Sequence, residues 1–466
     1  MSSDGNLVDP SLAQDVLRAA LTRGGSFSEL FVEERASLAV RLDDGRIEEL
    51  DSGIDRGAGV RVVQGASTGY AFSNRLDPES LMEVAAAAAA SVRGDEPGRI
   101  VDLTVREPGV VHAAERDAAS VPAEAKVAWL READEAGRSF DPAVTQVVAG
   151  YGDSLQRVMI AASDGRLVRE DRPRIRLAVQ VVAARDGVLQ IGFNGPALVA
   201  GSEYVDRFPP AETAREAARQ AVAMLDGVPA PAREMPVVIG PGGGGVLFHE
   251  ACGHGLEADL IQKESSIYRG RVGELLATPL LNGVDDATVP NAWGSFSFDD
   301  EGWPSQRTTL FTEGVLQGYL YDRIRAERDG VPSSGNGRRQ SYAHVPIPRM
   351  TNTYILSGDA TADGIVADTP NGFYARRLGG GQVNPATGDF VFGVTEGYLI
   401  EHGEITSPVR GANLVGNGTG ILQGIDVLAD DFDVFYGICG KEGQGVPVGN
   451  GSPTLRISRM TVGGTG

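Results

Sequence analysis

The sequence predicts an α+β protein with two domains, and three observations support that prediction. Capped helical segments alternate with strand patterns in the first third, and long alternating segments joined by Asp-Gly turns follow. Helix signals then become scarce beyond a proline-rich break at residues 226–234. We therefore expect an N-terminal mixed α/β domain with a long antiparallel sheet over residues 1–228, and a mostly β C-terminal domain over residues 229–466.

Four helices are predicted in the N-terminal domain. Asp9 and Pro10 supply an N-cap and a first-turn proline for a helix that ends before Gly24. Asp77 and Pro78 begin a second helix that reaches about Val92. The remaining two helices are expected at about 122–136 and 211–225.

The strands between these helices are predicted from turn pairs. Asp44-Gly45 joins two alternating runs as a hairpin, and Asp164-Gly165 and Asp186-Gly187 join the longer runs that follow. Alternation of apolar and polar residues predicts an antiparallel sheet with one covered face.

The C-terminal domain is expected to consist of short strands with one helix. Its first strand is predicted at 235–240, and residues 330–348 form a long loop of the kind that is often functional. Later strands are expected around the turn pairs Asn282-Gly283, Glu313-Gly314, Asp329-Gly330 and Gly388-Asp389.

Composition narrows the class of partners and the location. The 466 residues carry a net charge of −21, which disfavours nucleic acid and anionic membrane surfaces as partners. No apolar run approaches the length of a membrane span, and the first residues lack the features of a secretory signal. A cytoplasmic location is therefore expected, and two cysteines are too few for a disulfide framework.

The segment "GPGGGGVLFHEACGHGLEAD", residues 240–259, contains the chemistry-bearing motif of the chain. Its glycines follow a strand and precede a helix, as in a phosphate-binding loop. The Gly-Lys-Ser/Thr ending of such a loop is absent, so close packing of helix on strand is the better interpretation of the glycines.

His249, Glu250 and His254 almost match the zinc-protease signature H-E-x-x-H, with one residue too many. On a regular α-helix, residues five apart are separated by about 140° and face different sides. A one-residue π-bulge restores a common face, and Gly253 weakens the helix at that point. Glu250 would then be the general base that activates the attacking water; alternatively, the two histidines are unrelated polar residues at a helix end.

A catalytic zinc also needs a third protein ligand and an open position. Helical spacing favours Glu257, whereas a thiolate from the glycine-rich stretch around Cys439 would come from the far end of the domain. These physical arguments leave both residues open. The other candidates are Asp259, His344, His402 and Cys252.

Several long segments resemble the TldD branch of the TldD/PmbA metalloprotease family. They are "FHEACGHGLEAD", "RMTNTYILSGDA", "GGGQVNPATGDFVFGVTEGYLIEHGEI" and "GICGKEGQGVPVGNGSPTLRISRMTVGGTG", together with the N-terminal "ELFVEERASLAVRLDDGRIEELDSGIDRGAGVRVVQGASTGYAFSN". The resemblance covers nearly the whole chain. It implies a C-terminal metalloprotease domain with a short distorted His-Glu-x-x-x-His helix.

Carried over residue by residue, the resemblance implies one zinc ion per chain on His249, His254 and Cys439, with Glu250 as general base. It also implies the active subunit of a heterodimer with a PmbA-type partner. Such pairs enclose their active sites in a chamber and cut unfolded or leader-type peptides. The alternative is a non-catalytic scaffold or modulator whose zinc is structural or absent.

Substrate contacts are predicted less directly. Tyr342 and His344 in the long loop are candidates for the group that stabilises the oxyanion. The stretch "GGGQV", with Gly380, Gly381 and Gln382, allows close backbone approach, so an extended peptide could add there as a strand.

Overall fold

A computed structural model describes residues 6–65, 67–94 and 98–464. The prediction that the chain begins without a signal peptide rests partly on residues 1–5, which lie outside the described residues. Among the helices of the described residues, none is long and apolar enough to cross a membrane. The predicted α+β class is confirmed, with separate sheets in the two halves of the chain.

Among the described residues before 228 there are five α-helices, four of which the sequence predicts. They are α1 (Pro10–Ala20), α2 (Pro78–Ala90), α3 (Ala123–Arg138), α4 (Tyr204–Arg207) and α5 (Pro210–Ala223). Asp9 caps α1 as expected, because its carboxylate accepts a 2.8 Å hydrogen bond from the Ser11 amide.

The strands of this half are longer than the alternating patterns indicate. They are β1 (Phe27–Asp43), β2 (Arg46–Gln64), β3 (Ser67–Ser73), β4 (Thr104–Val105), β5 (Val144–Ala162), β6 (Arg166–Arg185), β7 (Val188–Asn194) and β8 (Ala197–Leu198). All three predicted Asp-Gly turns join successive strands, and Asp44 and Gly45 both adopt positive φ as such turns require.

These strands form one sheet in the order β3-β2-β1-β5-β6-β4, with β7 and β8 also paired to β6. Its main pairs are antiparallel. Helices α1 and α2 pack on apolar residues of β1 and β2, while α3 and α5 pack on β5 and β6. Each helix pair therefore covers one end of the same sheet.

The expectation that only one face of this sheet is covered is wrong. Phe31, Val158 and Ile160 form a buried cluster with Phe298 and Tyr342 from the C-terminal half. Buried ion pairs accompany that cluster, including Arg61 with Glu29 at 2.9 Å. Alternating residues on this face are charged, so the sequence alone does not reveal that a second layer covers them.

The described part of the C-terminal half contains two large sheets and a two-stranded ribbon. Its strands are β9 (Val228–Pro229), β10 (Arg233–Ile239), β11 (Gly283–Asp286), β12 (Arg307–Thr312), β13 (Val315–Leu316), β14 (Gly337–Arg338), β15 (Ile347–Pro348), β16 (Asn352–Ile355), β17 (Asn371–Val383), β18 (Asp389–Glu401), β19 (Glu404–Arg410), β20 (Ala412–Asn417), β21 (Ile425–Leu428), β22 (Asp433–Lys441), β23 (Gln444–Ser452) and β24 (Leu455–Gly464).

One sheet has the order β17-β10-β24-β20-β18-β19-β9, with β21 on β24, and the other has the order β13-β12-β11-β16-β23-β22. The largest hydrophobic core of the chain lies between them. It includes the first helical segment after β10, so the chemistry-bearing motif lies in the interior of this half.

The expectation of a single helix in this half is wrong. Besides the helices of the motif, α6 (Gly243–Phe248) and α7 (Ala258–Gln262), there are α8 (Arg323–Asp329), α9 (Ala362–Ala367) and α10 (Gly418–Gly424). Asp329-Gly330, predicted as a turn between strands, ends α8, because Gly330 adopts the left-handed conformation of a helix cap. These helices are too short to give a clear periodic signal.

The predicted division between residues 228 and 229 falls inside β9. This two-residue strand pairs with β19 of the C-terminal sheet, through Val228 with Val409 and Pro229 with Arg410. The segment between α5 and β10 therefore joins the C-terminal sheet at its edge, and the domain division at this point stays a prediction.

Candidate metal centre

The glycine-rich turn after β10 brings a helix directly onto a strand. A Cβ on Gly245 would lie 2.4 Å from the backbone nitrogen of Gly451 on β23. Only a residue without a side chain permits this approach of α6 to β23. The glycines thus serve close packing, as the sequence interpretation favours.

The helix changes its form at the motif. Residues His249–Gly253 adopt a π-helical turn, and a short 3₁₀ turn follows at His254–Leu256. The two imidazole rings lie 4.9 Å apart between centroids and are nearly perpendicular. The predicted distortion is confirmed: the wider π turn brings residues five apart to one side.

Cys439 reaches the histidines from β22, which forms a hairpin with β23. Its Sγ lies 3.2 Å from Nε2 of His249 and 3.4 Å from Nε2 of His254. The ligand atoms of the three residues all lie within 4.8 Å of one another. Donors this close can share one metal ion.

The chemistry of these three donors fits zinc. Two imidazole nitrogens and a thiolate are among the ligand sets that zinc prefers. Burial opposes ionisation of the Cys439 thiol, but His249 and His254 outweigh it and lower the pKa of the thiol to about 4. The thiolate, which is the metal-binding form, therefore predominates at neutral pH.

Glu257 supports His254 from the side opposite Cys439. Its Oε2 lies 3.0 Å from Nδ1 of His254 and 3.0 Å from Nζ of Lys441. Burial opposes the carboxylate charge, but Lys441 and His254 lower the pKa of Glu257 to about 2. A carboxylate on Nδ1 leaves Nε2 free to bind metal, so Glu257 occupies the position of a supporting residue.

Two further residues complete this support. Arg349 donates a 2.6 Å hydrogen bond to the Cys439 carbonyl, and Lys441 pairs with Asp259 at 2.6 Å. The supporting roles of Arg349, Lys441 and Asp259 were not predicted from the sequence. The feature that could have indicated these roles is that each residue lies within a motif segment: "RMTNTY", "GICGKEG" and "GLEAD", respectively for Arg349, Lys441 and Asp259.

Glu250 faces an open cleft beside the three donors. Its Oε2 lies 4.0 Å from Nε2 of His254, and it lines a cavity of about 670 Å³ together with His249 and Cys439. Gly380 and Gly381 line the same cavity, as does Phe193 from the N-terminal sheet. A carboxylate at this place can take up and release a proton next to the donor cluster.

The structure does not bring all predicted contacts to the cleft. Tyr342 is buried against the N-terminal sheet, where its hydroxyl donates to Asp55 at 3.1 Å, and Nδ1 of His344 lies 2.9 Å from the hydroxyl oxygen of Ser341. Neither residue lines the cleft, and neither does Gln382, which is exposed on β17. The long loop packs between the two halves of the chain, and the oxyanion role of Tyr342 and His344 stays a prediction.

The other candidate ligands also lie outside the donor cluster. Cys252 is buried and its thiol donates to the carbonyl of Phe248 at 3.2 Å. His402 adopts a positive φ in the turn between β18 and β19. Neither residue therefore contributes a donor atom to the cluster.

Comparison with known proteins matches three family domains along the chain. They are the PmbA/TldA metallopeptidase domain 1 over residues 28–92, the central domain over 116–225 and the C-terminal domain over 232–464. A metalloprotease TldD homolog of Haemophilus influenzae is 42% identical over 453 residues, which is 95% of this chain and 94% of that protein.

Solved structures share the fold. TldE from Thermococcus kodakarensis has a TM-score of 0.79 at 20% identity, covering 97% of this chain and all of that one. A candidate modulator of a DNA gyrase from Thermotoga maritima has the same TM-score at 20% identity, covering 94% of this chain and 96% of that chain. At this level of identity the likeness concerns the fold alone.

Proposed function

The chain belongs to the PmbA/TldD metallopeptidase family, and from this premise we propose that it is a zinc-dependent peptidase acting on unfolded or leader-type peptides. The observation that carries the proposal is the position of Glu250 beside a cluster of three metal donors in one open cleft. We propose one zinc ion per chain, held by His249, His254 and Cys439.

A zinc ion held by these donors would supply Lewis acidity toward the attacking water and the peptide carbonyl. Glu250 accepts the proton of the attacking water on its carboxylate and later delivers it to the leaving amine. Glu257 holds His254 in the tautomer that presents Nε2. Gly380, beside which the space is open, leaves room for the backbone of an extended substrate along β17, and Gly381 lines the same cavity with the Phe392 ring packed against it.

A PmbA-type subunit is the proposed partner, and two observations support it. TldE, a named structural relative, has the same fold. Strand β7 also exposes Leu189, Ile191 and Phe193 on one face, and Phe193 lines the cleft. An exposed apolar stripe beside the cleft suits a subunit that encloses the site. A cytoplasmic location is part of the same proposal.

The alternative is a scaffold or modulator with a structural zinc or none. Its support is that the Thermotoga maritima protein of the same fold is described as a candidate modulator of a DNA gyrase. A structural zinc site is closed by four protein ligands, whereas a catalytic site keeps a position open. The cluster has three donors among the described residues and adjoins an open cleft, which favours the peptidase.

Digestion of unfolded peptides, followed by mass spectrometry, tests the proposal. The zinc-loaded chain is incubated with the peptides in the presence and absence of a PmbA-type subunit. We expect Glu250→Gln to keep its zinc and to lose cleavage by at least about 100-fold, because proton transfer typically contributes 10²–10⁴-fold. Glu264→Gln, which changes an exposed carboxylate, is the matched control.

Native cleavage by Glu250→Gln would show that the assigned base is wrong. Zinc content is measured in parallel on the wild-type protein. A protein that retains no zinc after zinc is supplied, and cleaves no peptide in either arm, would favour the scaffold instead.

A further inference from the structure

A second cavity, distinct from the metal cleft, is lined by five arginines. It measures about 220 Å³ and lies between the N-terminal sheet and the C-terminal half. Such a concentration of positive charge is unusual in a chain whose net charge is −21. The lining arginines are Arg35, Arg172, Arg174, Arg338 and Arg339.

Strand pairing places three of these arginines on one face of the sheet. Arg172 and Arg174 are two residues apart on β6 and therefore point to the same side. Gln156 on β5 is the register partner of both Arg172 and Arg35, so these side chains stand in one row. Arg338 and Arg339 approach the row from the long loop.

Three of the five arginines have carboxylate partners. Arg35 pairs with Glu33 at 2.8 Å, Arg172 pairs with Asp300 at 2.6 Å, and Arg339 pairs with Glu29. Their charges are neutralised within the protein. They form the framework of the cavity and supply no free positive charge.

Arg174 and Arg338 differ from the other three. Among the described residues, no carboxylate oxygen lies within 4.0 Å of either guanidinium group. Arg338 is buried and donates to the backbone carbonyls of Met350 and Pro447, the latter at 2.8 Å. Arg174 donates one long 3.3 Å bond to Gln156, and its buried Nε has no hydrogen-bond partner.

The pKa values of both guanidinium groups are lowered by this arrangement. Burial, together with repulsion from Arg172 and Arg338, lowers the pKa of Arg174 to about 9. Burial also lowers the pKa of Arg338 to about 10, although Asp300 opposes the shift. Both groups remain cationic at neutral pH, so an anion in the cavity would relieve an existing repulsion.

The walls of the cavity fit a small planar or tetrahedral anion. Its volume lies below the range of about 300–1,000 Å³ that is usual for sites of drug-sized ligands. The ring of Phe296 lies near the guanidinium groups of Arg338 and Arg172, with cation-to-centroid distances of 5.3 and 5.7 Å. Arginines held in this way bind carboxylate and phosphate oxygens with directed hydrogen bonds.

We propose that this cavity binds a small oxyanion, a phosphate or a carboxylate group, through Arg174 and Arg338. The ligand is either free in solution or the acidic side chain of a peptide. Ile438, which is exposed and adjacent to Cys439, lines both this cavity and the metal cleft. The two sites therefore adjoin each other at strand β22. The oxyanion site itself does not depend on the proposed peptidase activity.

Calorimetric titration of the full-length, zinc-loaded protein with sodium phosphate tests the site, with sodium chloride at matched ionic strength as reference. We expect saturable binding that Arg174→Gln weakens by at least about tenfold. Arg174→Gln breaks no ion pair, so the variant should fold. Arg338→Gln is a second variant with the same expected loss. Arg176→Gln is the matched control, because Arg176 lies on the same strand as Arg174, forms no ion pair within the described residues and does not line the cavity.

A second arm distinguishes the source of the anion. Two unfolded peptides that differ only in glutamate or glutamine are titrated into Glu250→Gln protein, with and without Arg174→Gln. Binding of phosphate that depends on Arg174 identifies a free anion, and glutamate-selective binding with the same dependence identifies a peptide carboxylate. The proposal is overturned if neither ligand binds, or if binding is equal in the Arg174→Gln protein.

Discussion

The pair of His254 and Glu257 shows how one carboxylate prepares a metal-binding imidazole. Glu257 is fully buried, and its charge is compensated by Lys441 and the imidazole. An oxygen on Nδ1 orients the ring and leaves Nε2 directed at Cys439. Helical spacing favours Glu257 as the third ligand. In the structure, however, Glu257 lies at Nδ1 of His254, away from the Nε2 atom that faces Cys439.

Metal retention should follow this assignment. We expect Cys439→Ser to weaken zinc binding most, because it replaces the thiolate by a weaker donor. Glu257→Gln should weaken zinc binding by about 10- to 100-fold, as loss of a supporting partner does. Competition with a chelator measures both variants.

Glu442→Gln is the control for this comparison. Glu442 is an exposed carboxylate next to Lys441 in the sequence, and it pairs with Lys263. A larger loss in Glu257→Gln than in Cys439→Ser would exchange the two roles and restore Glu257 as a direct ligand.

At the level of the element, the π turn brings Gly253 into close contact with Met350. A Cβ on Gly253 would lie 2.1 Å from Sδ of Met350, which is fully buried. The φ of Gly253 is −52°, which any residue can adopt, so the contact and not the backbone requires glycine. The side chain of Met350, from the segment between β15 and β16, therefore fills the space beside Gly253 in the π turn.

We expect Gly253→Ala to lower stability by about 1–3 kcal/mol, the usual cost of overpacking, and to weaken zinc retention by moving His254. Met350→Ala should relieve the clash, so the double variant should be more stable than the two single effects predict when added. Thermal unfolding and zinc content are the measurements. Gly420→Ala, where the space around the Cβ is open, serves as control.

Strict additivity of the two substitutions would show that the contact does not constrain the turn. A regular α-helical turn in an experimentally determined structure would contradict the packing argument as well.

Across the whole molecule, a cluster of ion pairs joins the two halves beside the cleft. Arg219 on α5 binds Glu396 on β18 through two bonds of 2.8 and 2.9 Å. Glu216 on the same helix binds Arg377 of β17 at 3.1 Å, and Arg377 also lines the metal cleft. These ion pairs thus connect α5 of the N-terminal half to strands β17 and β18, and β17 forms part of the wall of the metal cleft.

This cluster should make the free energy of unfolding depend on pH. Burial opposes the Glu216 charge, but Arg219 and Gln220 outweigh it and lower the pKa of Glu216 to about 2 from 4.5. A lowered pKa stabilises the fold above pH 4.5, and that stabilisation is lost as pH falls towards 2. We expect Glu216→Gln to lower the free energy of unfolding by about 2 kcal/mol at pH 7, after allowance for partial exposure.

Urea unfolding at pH 7, 4.5 and 3 measures the effect. The difference between wild type and Glu216→Gln should shrink as the pH falls, whereas Glu212→Gln, an exposed position on the same helix, should show little difference at any pH. A difference that stays constant with pH would rule out an ionic origin.

Local signals predict much of this architecture, whereas contacts between distant segments limit the prediction. The caps at Asp9 and Asp77 and the Asp-Gly turns fix helices and hairpins from neighbouring residues. The demand for a distorted helix follows from the spacing of His249 and His254. The approach of Cys439 needs the resemblance, and the place of Tyr342 on the N-terminal sheet has no local signal, because both depend on long-range pairing.

The wide separation of the donors in the chain has a consequence for biosynthesis. Cys439 follows His254 by 185 residues, and it lies on a hairpin whose second strand pairs with β16 in the interior sheet. At about 5–20 residues per second, a ribosome needs roughly 10 to 40 seconds to add that stretch. The donor cluster therefore cannot assemble until the hairpin of β22 and β23 has been made. On the proposed function, a growing chain would stay inactive toward neighbouring chains until that point.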